Sequence, residues 1–103
     1  MNWVEYVEWF KTVKKDGLPD GVRECLAQIL TMMTVEREKF PSAESVVLNR
    51  IETEAEVFMV MGLVGWSPDK EDFKAWVRTA KYIGLSKEEC EAAVDRGAER
   101  GRL

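Results

Sequence analysis

The chain has 103 residues, the size of a single domain with a modest core, and its hydrophobic content of 46% is too high for a disordered chain. Its formal net charge of −4 disfavours binding to nucleic acid or to an anionic membrane surface. The absence of histidine excludes imidazole-based catalysis, His-ligated zinc or iron, and the Glu-x-x-His motif of ferritin-like di-iron proteins.

Helix one is predicted from Trp3 to Lys15, with Asn2 as its N-cap and Asp16-Gly17 as its stop signal. Apolar side chains cover more than half of its circumference, whereas a helix that packs only on its own core needs a narrower stripe. Two interpretations follow: the helix is inserted deeply between its neighbours, or its large aromatic residues contact another chain. The predicted interface residues are Trp3, Tyr6, Trp9 and Phe10.

Helix two is predicted from Pro19 to Lys39, because its apolar residues repeat at helical spacing and a proline follows its end. Helix three is predicted from just after Ser42, a good N-cap, to about Val64. Its inner stripe is predicted to consist of Val47, Ile51, Ala55 and Phe58.

The second half of helix three leads into a run without charge, from Val57 to Trp66, in a chain of which 33% of the residues are charged. A helix that is apolar all round is buried on every side, by its own domain or by a partner. Ten residues are too few to span a bilayer. We predict that helix three is central and that this end is buried, and we add Trp66 to the predicted interface.

Helix four is predicted over residues 68–83, with Ser67 as N-cap, Pro68 at the first helical position and Gly84 after its end. The residues predicted to face inward are Phe73, Trp76, Val77, Ala80 and Ile83.

Helix five is predicted over residues 87–100, because Ser86 and Glu89 have the spacing of a capping box. Its inner face is small, so we expect it to approach a neighbouring helix closely. That face consists of Cys90, Ala93, Val94, Gly97 and Ala98.

The corner between helices four and five resembles a helix-turn-helix, with Ala80, Gly84 and Cys90 at the characteristic spacing. The resemblance implies a nucleic-acid-binding regulator, and the possible contacts are on the outer face of helix four: Lys70, Lys74, Arg78 and Lys81. The second helix departs from that pattern, because Glu88, Glu89 and Glu91 would face the phosphates and repel them. A solvated helix face also explains the basic stripe.

A metal-dependent enzyme is the remaining alternative. Glu52 and Glu56 are one helical turn apart and could share a divalent cation. The segment around them resembles a carboxylate pair of the helical nucleotide pyrophosphohydrolases of the MazG type, although Thr53 stands where the first carboxylate of that pair belongs. Carboxylates on helices are usually solvated, so we predict no catalytic, cofactor or metal site.

Cys25 and Cys90 are too few for a disulfide scaffold and fall on apolar helical faces, so we expect reduced core thiols. The first residues lack the basic and apolar regions of a signal peptide, which predicts a cytoplasmic location.

These observations predict one all-α domain over residues 1–103, a compact bundle of about five helices with a helix-turn-helix-like corner. The predicted function is a non-enzymatic interaction or regulatory module that forms a homodimer or docks on a protein partner through apolar and aromatic helical surface. The alternative is a nucleic-acid-binding regulator that uses the last two helices.

Overall fold

The computed structural model describes residues 1–102, and within that range it contains five α-helices and no β-strand. The prediction of an all-α bundle is confirmed. The helices are α1 (Trp3–Thr12), α2 (Val22–Val35), α3 (Ala43–Leu63), α4 (Glu71–Tyr82) and α5 (Lys87–Gly101).

The predicted N-caps of α1, α3 and α5 are confirmed by their hydrogen bonds. The side chain of Asn2 accepts a hydrogen bond from the backbone N–H of Glu5 at 2.9 Å, and Ser86 accepts one from Glu89 at 3.1 Å. In both cases the glutamate returns a bond to the N-cap backbone, which completes a capping box. Ser42 caps α3 in the same way, with a serine three residues later in place of the usual glutamate.

Two helices begin later than predicted. Gly21 has a φ angle of 80°, a left-handed conformation that cannot continue into a helix, so α2 begins at Val22 and not at Pro19. Helix α4 begins at Glu71, whose backbone N–H donates to the carboxylate of Asp69 at 3.0 Å. Ser67 therefore does not cap this helix, and the proline lies in the preceding loop.

Two helices also end earlier than predicted. Helix α1 ends at Thr12, whose hydroxyl donates to the carbonyl of Trp9 at 2.7 Å. The ammonium group of Lys15 then folds back onto the carbonyls of Phe10 and Val13. Helix α2 ends at Val35, well short of Lys39.

The hydrophobic core lies between α2, the first half of α3 and the inner face of α4. Its largest fully buried side chains include Trp76, Leu26 and Ile51. Tyr6 joins α1 to this core, because its hydroxyl donates to the backbone carbonyl of Leu26 at 2.7 Å. Burial of that hydroxyl raises the pKa of Tyr6 above its ordinary range.

Helices α3 and α5 pack closely along what we call the α3–α5 seam. A Cβ atom added at Gly97 would lie 2.0 Å from the carbonyl oxygen of Glu52, and one at Gly101 would lie 2.7 Å from the Cβ of Met59. Backbone contact this close is possible only because α5 carries glycine here, which confirms the predicted close approach. Helix α5 therefore lies against α3. At the corner after α4, the backbone N–H of Leu85 donates a hydrogen bond to the carbonyl of Ala80 at 2.9 Å.

Ion pairs reinforce the α3–α5 seam at its edge. The guanidinium of Arg96 lies 3.3 Å from the carboxylate of Glu52. Arg100 pairs with Glu56 at 3.1 Å and also contacts Glu52. These pairs join residues that are more than forty positions apart in sequence, and they tie the two helices in register.

The Val57–Trp66 end of α3 is not buried by the chain's own domain, so that alternative of the prediction is wrong, and burial by a partner stays a prediction. Val57 is 40% exposed, Val60 37%, Leu63 60%, Val64 74% and Trp66 67%. The reason is that α5 covers one side of α3 here, and the chain leaves the end of α3 before any other helix can cover the opposite side.

Candidate interaction surface

The exposed end of α3, which we call the α3 tip (Val57–Trp66), projects an uncharged apolar surface into solvent. Val57, Val60 and Val64 have the i, i+3, i+7 spacing of one helix face, on the side away from α5. The exposed side chains of the tip present an area on the order of 400 Å². That is comparable to the largest apolar patch on a typical monomer, roughly 300–600 Å², a patch that is often functional.

The backbone after α3 holds the α3 tip in a defined shape. The N–H of Trp66 donates to the carbonyl of Met61 at 2.9 Å, and the N–H of Gly65 donates to that of Gly62 at 3.1 Å. This is a Schellman motif, and Gly65 supplies the left-handed conformation that it requires, with φ of 76°. The exposed indole of Trp66 is therefore carried by an ordered helix end.

The side of the α3 tip that faces α5 contributes to a shallow groove of about 370 Å³. The rings of Phe58 and Phe73 meet edge to face, with centroids 5.7 Å apart, and they form part of its wall. The remaining lining residues are Ala55, Met59, Gly62, Leu63, Val94 and Ala98.

A second groove of about 550 Å³, the α4–α5 groove, lies between the last two helices and shares Phe73 and Val94 with the first. Its apolar lining residues are Phe73, Val77, Leu85, Cys90 and Val94. Its charged lining residues are Lys81, Lys87, Glu91 and Asp95.

Among the residues that line the α4–α5 groove, Cys90 carries a chemically reactive group, its thiol. Partial burial, together with the neighbouring carboxylates of Glu89 and Glu91, raises the pKa of its thiol. The thiol is therefore protonated at neutral pH, and it lines the groove as a small apolar group.

The sequence did not reveal these grooves, since Phe73 and Val77 were predicted to face the core. Trp76 and Ala80 do so, but Val77 is 37% exposed and Phe73 is only partly covered. The signal for these grooves in the sequence was the small size of the residues on the inner face of α5. Because α5 fits closely against α3, it stands away from α4 and leaves one face of α4 open.

The predicted interface on α1 is mostly used within the chain. Tyr6 has no exposed surface, so its assignment to an interface is incorrect. Trp9 packs against Tyr6 and Tyr82, with ring centroids 5.5 and 6.1 Å apart. Trp3 donates its indole N–H to the hydroxyl of Thr34 at 2.9 Å.

The other α1 aromatic, Phe10, is half-buried against the core, with the ammonium of Lys15 4.1 Å from its ring centroid. The structure does not bring these aromatics together with Trp66. Of the predicted interface residues, Trp66 is the one with a largely free side chain.

The predicted basic stripe on α4 is partly occupied by local partners. Arg78 donates to the backbone carbonyl of Asp20 at 3.0 Å, and Lys74 lies 3.6 Å from the carboxylate of Glu71. Lys70 and Lys81 are exposed, with Lys81 at the edge of the α4–α5 groove. Nucleic-acid binding by this stripe stays a prediction, testable with labelled duplex DNA at low and at higher salt.

The carboxylates considered for a metal site bind the guanidinium groups of the α3–α5 seam, as described above. Among residues 1–102, no group of three or more Cys, Asp or Glu side chains is placed to hold a metal ion. In the same range, no helix combines the length and the apolar character needed to cross a membrane.

Comparison with known protein families, with curated proteins and with solved structures found no match for this chain.

Proposed function

We propose that this chain is a protein-interaction module whose docking surface is the α3 tip. The observation that carries the proposal is the exposure of an uncharged helix end, with Val64 at 74% and Trp66 at 67% exposed. An apolar patch of this extent matches the largest patch on a typical monomer, and such a patch is often functional. Tryptophan is also among the residues most enriched at energetically important interface positions.

The energetics favour a partner that also enters the neighbouring grooves. Covering an area on the order of 400 Å² contributes on the order of 10 kcal/mol at about 25 cal/mol per Å². Association itself costs roughly 4–15 kcal/mol, so the α3 tip alone supports weak binding. The grooves beside Phe73 provide the additional area, and an amphipathic helix of another protein has the shape that such grooves accept.

The α3 tip is suited to this role because it is ordered before binding. It continues a regular helix and ends in a Schellman motif, so little backbone entropy is lost when a partner covers it. The non-enzymatic character of the module, its regulatory role and its cytoplasmic location stay predictions from the sequence.

Site-specific photocrosslinking in cells that express the protein tests the proposal. A photoreactive amino acid is placed at Val64 of the full chain, and the matched control carries it at Val4, which is 62% exposed on α1. We expect discrete crosslinked species at position 64 and none at position 4. The masses of those species distinguish a second copy of the chain from a different protein.

Crosslinking that is equal at the two positions, or absent from both, would contradict the proposal. In a second measurement, Trp66→Ser should remove the crosslinks formed at position 64 without changing the thermal unfolding of the purified protein. A drop in the unfolding temperature would mean that Trp66 belongs to the core.

A further inference from the structure

The α4–α5 groove is a space left open between the last two helices. Helix α5 packs along α3 and makes few contacts with α4, so the packing of one helix on the other does not fill this space. The groove measures about 550 Å³, and all of its lining residues belong to α4, α5 and the corner between them. Small-molecule sites in proteins occupy clefts of roughly 300–1,000 Å³, so the groove has the capacity for one ligand of that kind.

Burial separates the lining residues of the groove into a floor and a rim. The floor is apolar: Leu85 is buried, and Phe73, Cys90 and Val94 are half-buried. The hydroxyl of Ser86 already accepts the N-cap hydrogen bond of α5. The charged lining residues are all exposed, so they lie at the rim: Lys81, Lys87, Glu91 and Asp95. The floor therefore offers a ligand apolar contact, while the charges of the lining lie next to solvent.

The charges at the rim are balanced, and this balance decides the kind of ligand. Two lysines stand with two carboxylates, and the ammonium group of Lys87 lies 3.7 Å from the carboxylate of Glu91 on the same helix. A ligand of either charge would meet rim charges of both signs, at positions where water and salt screen them. Burying the ligand's charge on the apolar floor would cost free energy that these screened contacts do not offset. The groove therefore favours a molecule without charge.

We infer that the α4–α5 groove binds one uncharged, largely apolar small molecule. The apolar body of this molecule lies on the floor against Phe73, Leu85 and Val94, and the removal of both apolar surfaces from water supplies the free energy of binding. Val77 on α4 and Cys90 on α5 line the groove from its two sides.

This inference goes beyond the proposed function, because it concerns a small molecule and two other helices. Phe73 and Val94 line both this groove and the groove beside the α3 tip, so the molecule and a partner docked on the tip would compete for those two side chains. Binding of the small molecule is measured on the purified chain without a partner. Its failure leaves the crosslinking test at Val64 standing, and the reverse also holds.

Fluorescence titration with N-phenyl-1-naphthylamine, an uncharged apolar dye that brightens when it leaves water, tests the inference. We expect saturable binding of one dye molecule per chain. Val77→Glu places a carboxylate in the groove and should weaken binding roughly tenfold or more, because the dye would have to displace water from that charge. The matched control Val64→Glu makes the same change at the α3 tip and should leave binding unchanged. Both valines are exposed, at 37% and 74%, so neither is part of the buried core.

The charge of the ligand is tested with 8-anilinonaphthalene-1-sulfonate, which differs from the first dye by one sulfonate group. We expect the unmodified chain to bind this anionic dye several-fold more weakly than the uncharged one. Equal or tighter binding of the anionic dye would contradict the inference, because the lysines of the rim would then select an anion.

Cys90 reports whether the dye occupies this groove or another surface. Its thiol lines the groove, whereas Cys25 is buried with 3% exposed surface. The chain is treated with iodoacetamide with and without saturating N-phenyl-1-naphthylamine, and the alkylated cysteines are located by mass spectrometry. We expect the dye to slow the alkylation of Cys90, while Cys25 stays unmodified in both samples and thereby shows that the fold is intact.

Three results would each overturn the inference. The first is the absence of saturable binding of the uncharged dye to the unmodified chain. The second is binding that leaves the alkylation rate of Cys90 unchanged. The third is an equal loss of binding in Val64→Glu and Val77→Glu, which would show that the dye does not discriminate between the groove and the α3 tip.

Discussion

The two halves of α3 are both rich in apolar residues, yet they have opposite environments. In the first half, Val46, Val47 and Ile51 have no exposed surface. In the second half, the uncharged α3 tip carries Val60 and Val64 into solvent. The comparison shows that local hydrophobicity predicts which segments need to be covered by other residues. The positions of the other helices decide whether the chain itself covers them.

The largest expected change in the free energy of unfolding comes from replacing a glycine with alanine in each of two regions, the α3–α5 seam and the α3 tip. Gly97→Ala places a Cβ 2.0 Å from the carbonyl oxygen of Glu52, so the α3–α5 seam must open, and we expect a loss of roughly 3 kcal/mol in the free energy of unfolding. Gly62→Ala, on the α3 tip, meets no atom within 4 Å. It should stabilise the protein by up to about 1 kcal/mol, because alanine favours the helix more than glycine does.

Urea unfolding monitored by circular dichroism measures both values. Equal changes in the free energy of unfolding at the two glycines, or changes of the opposite sign to those expected, would mean that α5 does not pack against α3 as described.

The next effect compares two valines of the same helix. Val47→Ala removes two methyl groups from a site with no exposed surface and should destabilise the protein by roughly 2 kcal/mol, the sum of lost transfer energy and the cavity left behind. Val64→Ala, at 74% exposure, should change stability by less than about 0.5 kcal/mol. A similar loss at both positions in the monomer would show that the α3 tip is packed within its own chain.

A third effect concerns the stability of the protein at alkaline pH, because its core contains the buried ionisable groups of Tyr6 and Cys25. Burial raises the pKa of Tyr6 above its ordinary value of 10.0 and that of Cys25 above 9.0. Below pH 9 both groups keep their protons in the folded and unfolded states, so their contribution to stability is fully present. Above that pH the unfolded chain loses protons that the folded chain retains, and stability falls by up to about 1.4 kcal/mol per pH unit for each group.

Unfolding of the monomer at pH 8, 9, 10 and 11 measures this decline, and Tyr6→Phe should make it shallower above pH 10. The variant itself should cost about 1 kcal/mol at neutral pH, because the hydrogen bond to the carbonyl of Leu26 is lost. A profile that is flat from pH 8 to 11 would contradict the burial of both groups.

The smallest effect distinguishes ion pairs at the α3–α5 seam from those on open surface. Glu52→Gln removes the charge that binds Arg96 and Arg100, and its side chain is only 15% exposed, so we expect a loss of about 1 kcal/mol. Glu99→Gln breaks a pair with Arg102 between side chains that are 77% and 65% exposed, and should have no measurable effect. Raising the salt concentration should reduce the difference between the two variants.

Much of the fold could be predicted from sequence because its determinants are local. The N-caps Asn2, Ser42 and Ser86 act through residues three positions away, and helical periodicity located all five helices. The helix boundaries that were predicted wrongly depend on single residues, each of which competes with a neighbouring residue that also favours a helix start. Helix α4 begins after Lys70, where the carboxylate of Asp69 accepts a hydrogen bond from the backbone N–H of Glu71, and Gly21 prevents an earlier start of α2.

The candidate site could be predicted only in part, because its exposure depends on contacts between distant segments. Trp66 was placed at the predicted interface, and the uncharged run before it was predicted to be buried by its own domain or by a partner; composition alone does not reveal that the bundle leaves this run exposed. Tyr6 was assigned to an interface because helical spacing alone does not reveal the carbonyl of Leu26 that accepts its hydroxyl. The α4–α5 groove was missed since it arises from the space left when α5 fits closely against α3.

The α3–α5 seam also determines which part of the molecule opens first. Helix α5 is held by shape and by ion pairs, and the face that it buries is mostly alanine and glycine, so its detachment exposes little apolar area of its own. We expect the amides of α5 to exchange with solvent deuterium faster than those of α2 and of the first half of α3. Each such opening uncovers Ala55 and Met59, which lengthens the apolar face of α3 and makes the opened form the one most prone to aggregate.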